Sequence, residues 1–208
     1  MGRYVGPACR CCRREGMKLF LKGNRCYTAK CAIELERGVP GMHGQRSAKL
    51  SDYGMQLREK QRLRRFYGLQ EGQFKGTFSR AVRKRGITGE TLLQYLEMRL
   101  DNLVYRFGFA PSRRTARQFV THGHVMVDGR RADIPSMRRK QGSKIEVKNR
   151  KPSREFAKQA LDAAEGRPAS PWLSLDKENM RGEVLRVPTR EEIAPFVKEQ
   201  LVVELYSK

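Results

Sequence analysis

The sequence predicts an α+β protein with three parts: a cysteine-rich N-terminal arm, a helical region, and a module combining a small antiparallel sheet with packed helices. Three observations predict it. Apolar residues recur at helical spacing in three successive stretches between 51 and 107. The dipeptide Asp128-Gly129 separates two short alternating segments, a strong two-residue hairpin signal. All five cysteines crowd into residues 1–45, where helical and strand periodicity are both weak. At 208 residues the chain is long enough for two modest cores and an extended arm.

The arm needs outside help to hold a shape, and its cysteines suggest what supplies it. Cys9 and Cys12 are separated by two residues, Cys26 and Cys31 by four, and the two pairs by thirteen, which is structural zinc spacing. Four thiolates close a tetrahedral shell and leave no position for water, so the expected site is structural. Metal binding supplies about 10 kcal/mol or more of folding free energy in small zinc modules. An iron–sulfur cluster is the competing occupant for four thiolates. Cys11, adjacent to Cys12, would make a strained chelate and reads as a spare thiol, and a disulfide is disfavoured in a cytoplasmic protein. A bound metal would hold Arg10, Arg13, Arg14, Lys22, Arg25 and Lys30 in fixed positions around it.

Ser51 caps a predicted helix over 51–66 that carries Arg58, Lys60, Arg62, Arg64 and Arg65 and stops before Gly68. A second helix, 70–85, places Phe74, Phe78, Ala81 and Val82 on one stripe and closes at Gly86. A third, 90–107, buries Leu92, Leu93, Leu96, Leu100, Leu103, Val104 and Phe107 at period 3.6, with Asp101 and Asn102 marking a candidate break. Ser112 caps the next helix, in which Ala116, Phe119 and Val120 face a core, and Gly123 ends it. Val125 and Val127 point one way from a short strand that turns at Asp128-Gly129, and Arg130 and Arg131 begin the return. Residues 144–148 alternate Ile145 and Val147 inward, and 153–165 form an amphipathic helix with Phe156, Ala160, Leu161 and Ala164 inside. Residues 172–175 and 183–187 read as paired strands. Thr189 and Glu192 form a capping box for a short helix. The last apolar run, 201–206, fits strand or helix.

The stretch SRRTARQFVTHGHVMVDGRR at 112–131 is the most suggestive of function. Arg113, Arg114 and Arg117 share a helical stripe, and two more arginines lie across the turn, so guanidinium forks can meet phosphates while the hairpin fits a groove by shape. A solvated basic face on a core helix fits the local pattern equally well. Composition bears on the choice. The chain has 44 Lys and Arg against 22 Asp and Glu, a net charge of +22, which needs a polyanion to neutralise it: nucleic acid first, an anionic membrane surface second. Aromatic residues make up only 8%, which favours reading of backbone charge and shape over base stacking. No apolar run approaches the ~20 residues of a membrane span, and the first residues lack the apolar stretch of a signal peptide, so a cytoplasmic location is expected. His43, His122 and His124 lie in turns with no acid or cysteine at ligand spacing, and read as contacts to phosphate or backbone. No phosphate-binding loop, nucleophile elbow or pair of acids with a plausible pocket is present, which argues against an enzyme and against a small-molecule substrate.

The run at 112–131 resembles the core of the RNA-binding module named after the fourth small-subunit ribosomal protein, a module also present in pseudouridine synthases, some tyrosyl-tRNA synthetases and heat-shock RNA binders. A synthase would need a separate catalytic domain that this chain has no residues to build. MGRYVGP at the start, PGMHG at 40–44, LSDYGMQLREKQRLRRFYG at 50–68, RLDNLVYRFGF at 99–109, PWLSLD at 171–176 and the closing ELYSK resemble, in order, the bacterial S-four ribosomal protein family in its zinc-binding-cysteine form.

This resemblance implies an RNA-binding module inserted into a helical domain. The arm would span 1–45, the helical domain 46–98 completed by about 188–208, and the module 99–187. It implies a structural constituent of the small subunit that binds its ribosomal RNA, nucleates assembly, and influences decoding accuracy through contact with the protein S-five. S-three is a second candidate neighbour, repression of its own operon occurs in some bacteria, and no homo-oligomer is expected. The implied RNA contacts are Arg3, Arg13, Arg14, His43, Arg58, Lys60, Arg62, Arg64, Arg65, Arg113, Arg114, Arg117, His122, His124 and Arg130. Arg46 and Lys49 fall in the loop that matches the lining of the messenger channel, and Asp101 is expected to be a packed or capped carboxylate.

Overall fold

A computed structural model describes residues 2–42, 44, 49–164, 170–193 and 197–207. The helices in chain order are α1 (Ala8–Glu15), α2 (Asp52–Phe66), α3 (Glu71–Val82), α4 (Thr88–Glu97), α5 (Leu100–Arg106), α6 (Arg113–Thr121), α7 (Lys151–Asp162) and α8 (Glu199–Ser207). The strands are β1 (Val125–Val127), β2 (Arg130–Ala132), β3 (Lys144–Val147), β4 (Leu173–Asp176) and β5 (Arg181–Val184). This is the mixed α+β class that the periodicities predict. The chain divides into two compact units, Met1–Leu92 with Ala194–Lys208, and Leu93–Ile193.

In the first unit, Ser51 accepts a hydrogen bond from the Gly54 amide at 3.2 Å and starts α2 as a side-chain cap. Helix α2 packs against α8, and Leu63, Phe66, Phe74, Phe78, Ala81 and Val202 are buried. The pattern that fits either strand or helix at 201–206 is therefore helical. Tyr206 of α8 lies against Phe78 and Phe74, with ring centroids 4.7 and 6.2 Å away, and its hydroxyl donates to Glu71 at 2.6 Å. Val82, expected on the core stripe of α3, is exposed at the last residue of the helix.

The arm is more ordered than its weak periodicity predicts. Cys9, Cys11 and Cys12 ride on α1, which ends at Gly16 in the left-handed conformation, and Met17 donates back to the Cys12 carbonyl. Cys26 sits in a short 3₁₀ helix, Gly23–Tyr27. Leu19 is fully buried among these turns, so the arm has a small apolar anchor that its composition did not advertise.

The second unit is organised by a five-stranded antiparallel sheet in the order β2-β1-β3-β5-β4. Val125, Val127, Ala132, Ile145, Val147 and Val184 are buried on its inner face, as strict alternation requires. They join Phe107, Phe109, Ala116, Phe119, Val120 and the fully buried Trp172 in one core. Gly182 of β5 is where the sheet meets the ring of Phe107: any Cβ there would collide with it. Asp128 and Gly129 both take positive φ, 50° and 78°, as a type I′ turn demands, and Asp128 accepts from the Lys144 amide at 2.8 Å.

Three boundaries differ from the periodic reading. The long helix over 90–107 breaks at Met98 and Arg99, earlier than the Asp101-Asn102 position. The first amides of α5 are taken by distant carbonyls: Leu100 donates to Met137 at 2.8 Å and Asp101 to Pro135 at 3.1 Å. The paired strands sit at 173–176 and 181–184, leaving Leu185 and Val187 exposed. The capping box of Thr189 and Glu192 forms, but closes only a 3₁₀ turn, Arg190–Glu192.

Candidate nucleic-acid interface

Helix α6 begins where Ser112 accepts from the Thr115 amide at 3.2 Å, and its apolar stripe, Ala116, Phe119 and Val120, is buried. That burial fixes which arginines reach the surface. Arg114 is exposed. Arg113 is buried: its Nε donates to the Asn102 side chain at 2.8 Å and its guanidinium lies over the Tyr105 ring, 4.5 Å from the centroid. Arg117 turns to Asp101, Nη1 to Oδ2 at 3.0 Å. The predicted stripe of three phosphate-gripping arginines is thus corrected to one outward guanidinium and two that brace the helix from below.

Beneath α6 lies a connected ionic network. Asp101 takes a two-pronged contact from buried Arg99, at 3.0 and 2.8 Å, and caps the Asn102 amide at 3.0 Å. Asn102 donates to the buried Glu97 carboxylate at 2.6 Å, and Arg106 grips the same carboxylate at 3.0 and 2.8 Å. The expectation of a packed, capped Asp101 is what the structure contains.

The turn from α6 into β1 concentrates positive charge. His122 and Arg130 are exposed. His124 is half-buried, stacked on Phe119 at 4.9 Å, with Nδ1 2.9 Å from the Ser153 hydroxyl. Burial pushes the His124 pKa below its ordinary 6.5, and the nearby His122, Arg150 and Lys148 push it the same way. Gly123 takes φ of 71° between the two histidines, and the Arg131 guanidinium covers it so closely that a Cβ there would lie 2.6 Å from Nε. Lys148 and Arg150 are corner residues not among the expected contacts, whereas Arg131 is one of the two arginines expected across the turn. The pairing of Arg131 with Met126 on the outer face of the hairpin, opposite the buried valines, is a signal that strand alternation alone carries.

In the first unit, the basic run on α2 meets carboxylates at nearly every position. Arg58 and Arg65 converge on Oε1 of Glu15, Arg58 at 3.4 Å. Arg62 pairs with Glu59. Arg64 donates to Gln61 at 2.9 Å and lies 3.6 Å from Glu71. Lys60 is buried, 2.8 Å from Glu71 and over the Tyr206 ring, which removes it from the surface where the sequence places it. Glu15 has a fully buried side chain whose Oε2 has no hydrogen-bond partner among the described residues. Burial pushes its pKa up, against the pull of Arg65 and Arg58. It is the only acid in the first 33 residues, which is the signal that could have marked it.

Arg3 is partly exposed, Arg13 donates from Nε to the Gly38 carbonyl at 2.7 Å, and Arg14 and Lys49 are exposed. His43 and Arg46 lie outside the described residues.

Cys9, Cys12, Cys26 and Cys31 line one small pocket together with Ala8, Leu21, Lys22, Ala32 and Ile33; Cys11 does not line it. Among the described residues, no three or more His, Cys, Asp or Glu side chains are disposed to hold a metal ion. The donor set nonetheless suits one. Cys26 Sγ accepts from the Lys22 amide at 3.3 Å, and Cys12 accepts from the Leu19 backbone. Such bonds stabilise thiolate. Without a cation, burial pushes Cys12 up to about 11, and a bound metal would invert that balance.

Residues 3–97 match the family described as "Ribosomal protein S4/S9 N-terminal domain", and residues 98–145 match the "S4 domain". Curated relatives match over their full length and that of this chain. "Small ribosomal subunit protein uS4" of Thermus thermophilus is 56% identical over 209 residues, and that of Acetivibrio thermocellus 56% over 208. The protein of the same description from Thermodesulfovibrio yellowstonii is 52% identical over 208 residues.

Proposed function

The chain belongs to the uS4 family of small ribosomal subunit proteins, and from that premise we propose that it is a structural, non-enzymatic constituent of the small subunit of the cytoplasmic ribosome that binds ribosomal RNA. The end-to-end similarity carries this reading. The net charge of +22 and the exposed cations at the α6–β1 corner support it. Binding is electrostatic and geometric. Arg114, Arg130, Arg131 and His122 contact phosphates from a corner held rigid by the sheet, while Arg113 and Arg117 set the pose of α6 from beneath. Phosphate contacts release counterions, so affinity falls on the order of a thousandfold or more between low and moderate salt if six or more phosphates are neutralised.

Cys9, Cys12, Cys26 and Cys31 are read as ligands of a structural zinc ion. The pocket they share, the amide bonds onto Cys26 and Cys12, and their soft donor set support this. When bound, the ion supplies a cross-link between α1 and the 23–31 segment. The family resemblance extends the proposal to assembly of the subunit, contact with S-five and S-three, decoding accuracy and autogenous repression, with Lys49 and Arg46 near the messenger path.

Sucrose-gradient fractionation of a lysate, with the protein quantified against small-subunit RNA, tests the reading. Near one copy per small subunit, persisting through a moderate salt wash, is the expected result. Accumulation at the top of the gradient, or a few copies per hundred subunits, would overturn it.

A further inference from the structure

The corner between α6 and β1 contains more than fixed charge. The His124 ring is clamped: one face stacks on Phe119, which stacks in turn on Phe156 at 5.2 Å, and Nδ1 is taken by the hydroxyl of buried Ser153. The His124 carbonyl accepts from the Lys148 amide at 2.8 Å, so ring and backbone are both held. With Nδ1 engaged, Nε2 is the nitrogen left for a ligand. His122, whose ring centroid is 6.0 Å away, closes one side from the end of α6, and Lys148 and Arg150 approach from the segment between β3 and α7. Among the described residues, the charged or titratable groups acting on His124 are His122, Arg150 and Lys148, each cationic or cationic once protonated. From α7 it meets the Ser153 hydroxyl and the Phe156-supported stack.

We propose that this corner is a proton-coupled phosphate subsite, in which docking of an RNA backbone phosphate beside His122, His124 and Arg150 draws a proton onto His124. The proposal rests on the RNA-binding reading and adds a regulation to it. In the free protein, burial and the neighbouring His122, Arg150 and Lys148 all disfavour the imidazolium. A phosphate reverses the sign of the local field and the imidazolium becomes the favoured form, with Nδ1–H donating to the Ser153 hydroxyl and Nε2–H to a phosphate oxygen. The proton comes from solvent. By linkage, affinity then rises as pH falls, by up to about tenfold per pH unit for one coupled proton. A histidine that is merely a packed core residue takes up no proton on binding.

The test is calorimetric titration of the full-length protein with a transcript of the small-subunit ribosomal RNA near pH 7, in two buffers of different ionisation heat. Wild type, His124→Gln and His122→Gln are compared. The expected result is proton uptake by the wild type, lost in His124→Gln and reduced in His122→Gln. His122 is exposed, so the second variant keeps its fold even if loss of the His124 stack unfolds the first. Identical binding heats in the two buffers for the wild type, or undiminished uptake in the variants, overturn the proposal while leaving RNA binding intact. No binding in either buffer overturns the RNA reading and the subsite together.

Discussion

Helix α2 carries five basic residues between Arg58 and Arg65, and helix α6 three between Arg113 and Arg117. The two handle this charge differently. On α2, Glu59 of the helix itself and Glu15 and Glu71 from elsewhere on the chain pair with the cations and partly neutralise them. On α6, the Asp101 carboxylate and the Asn102 amide lie beneath the helix and engage Arg117 and Arg113, so Arg114 remains outward with the hairpin arginines. A basic run is therefore not a basic surface. The placement of a few acids decides whether cations fasten the protein to itself or offer themselves to a polyanion.

The largest expected effect separates the units by what holds them. If the four cysteines hold a metal as proposed, stripping it with a chelator, or replacing Cys26 with Ser, should remove folding free energy on the order of 10 kcal/mol from the arm. Hydrogen exchange should show residues 8–31 losing protection while 93–193 keep theirs; equal loss in both would erase the contrast. Next, Asp101→Ala leaves Arg99, 4% exposed, without its carboxylate. Urea unfolding should show a loss of about 3–5 kcal/mol, and a cost below 1 kcal/mol would mean that the network under α6 does not brace it.

The comparison between the helices is sharpened by paired substitutions. Arg114→Ala should weaken binding to small-subunit RNA roughly tenfold and lower the salt slope by about one, whereas Arg62→Ala, already paired with Glu59, should change both far less. Equal effects in filter-binding assays would break the distinction. The smallest effect is at α8. Burial raises the Glu71 pKa, but hydrogen bonds from Lys60 and Tyr206 more than offset it and hold the group below its ordinary 4.5. The stabilisation it provides is fully present above pH 4.5 and lost as pH falls through the lower native value. Because Glu71 is substantially exposed, Glu71→Gln should cost less than about 1 kcal/mol, and the acid shift of the Tyr206 ring resonances should disappear with it.

Much of the candidate site was legible in residue pattern. Ser51 and Ser112 cap helices as read, Asp128-Gly129 turns the hairpin, and the four spaced cysteines share a pocket that Cys11 does not line. The errors share a cause. Arg113, Arg117 and Lys60 look like surface cations because their partners, Asn102, Asp101 and Glu71, lie 11 to 16 residues away, outside any helical repeat. Nothing local in the sequence marks Lys148, at the end of the predicted 144–148 strand, or Arg150 as a neighbour of His124; the fold sets them beside it.

By itself the sequence determined the α+β class, the apolar stripes, the caps and the turn, because these follow from stereochemistry and periodicity within a few residues of chain. Tertiary structure alone decided where the 90–107 helix breaks, which arginines face outward, and that the arm's Glu15 lies beneath α2. Those outcomes depend on donors meeting acceptors across long separations, such as Leu100 on Met137 and Arg65 on Glu15. No local pattern encodes such meetings, because burial sets their energy and only the assembled core determines what is buried.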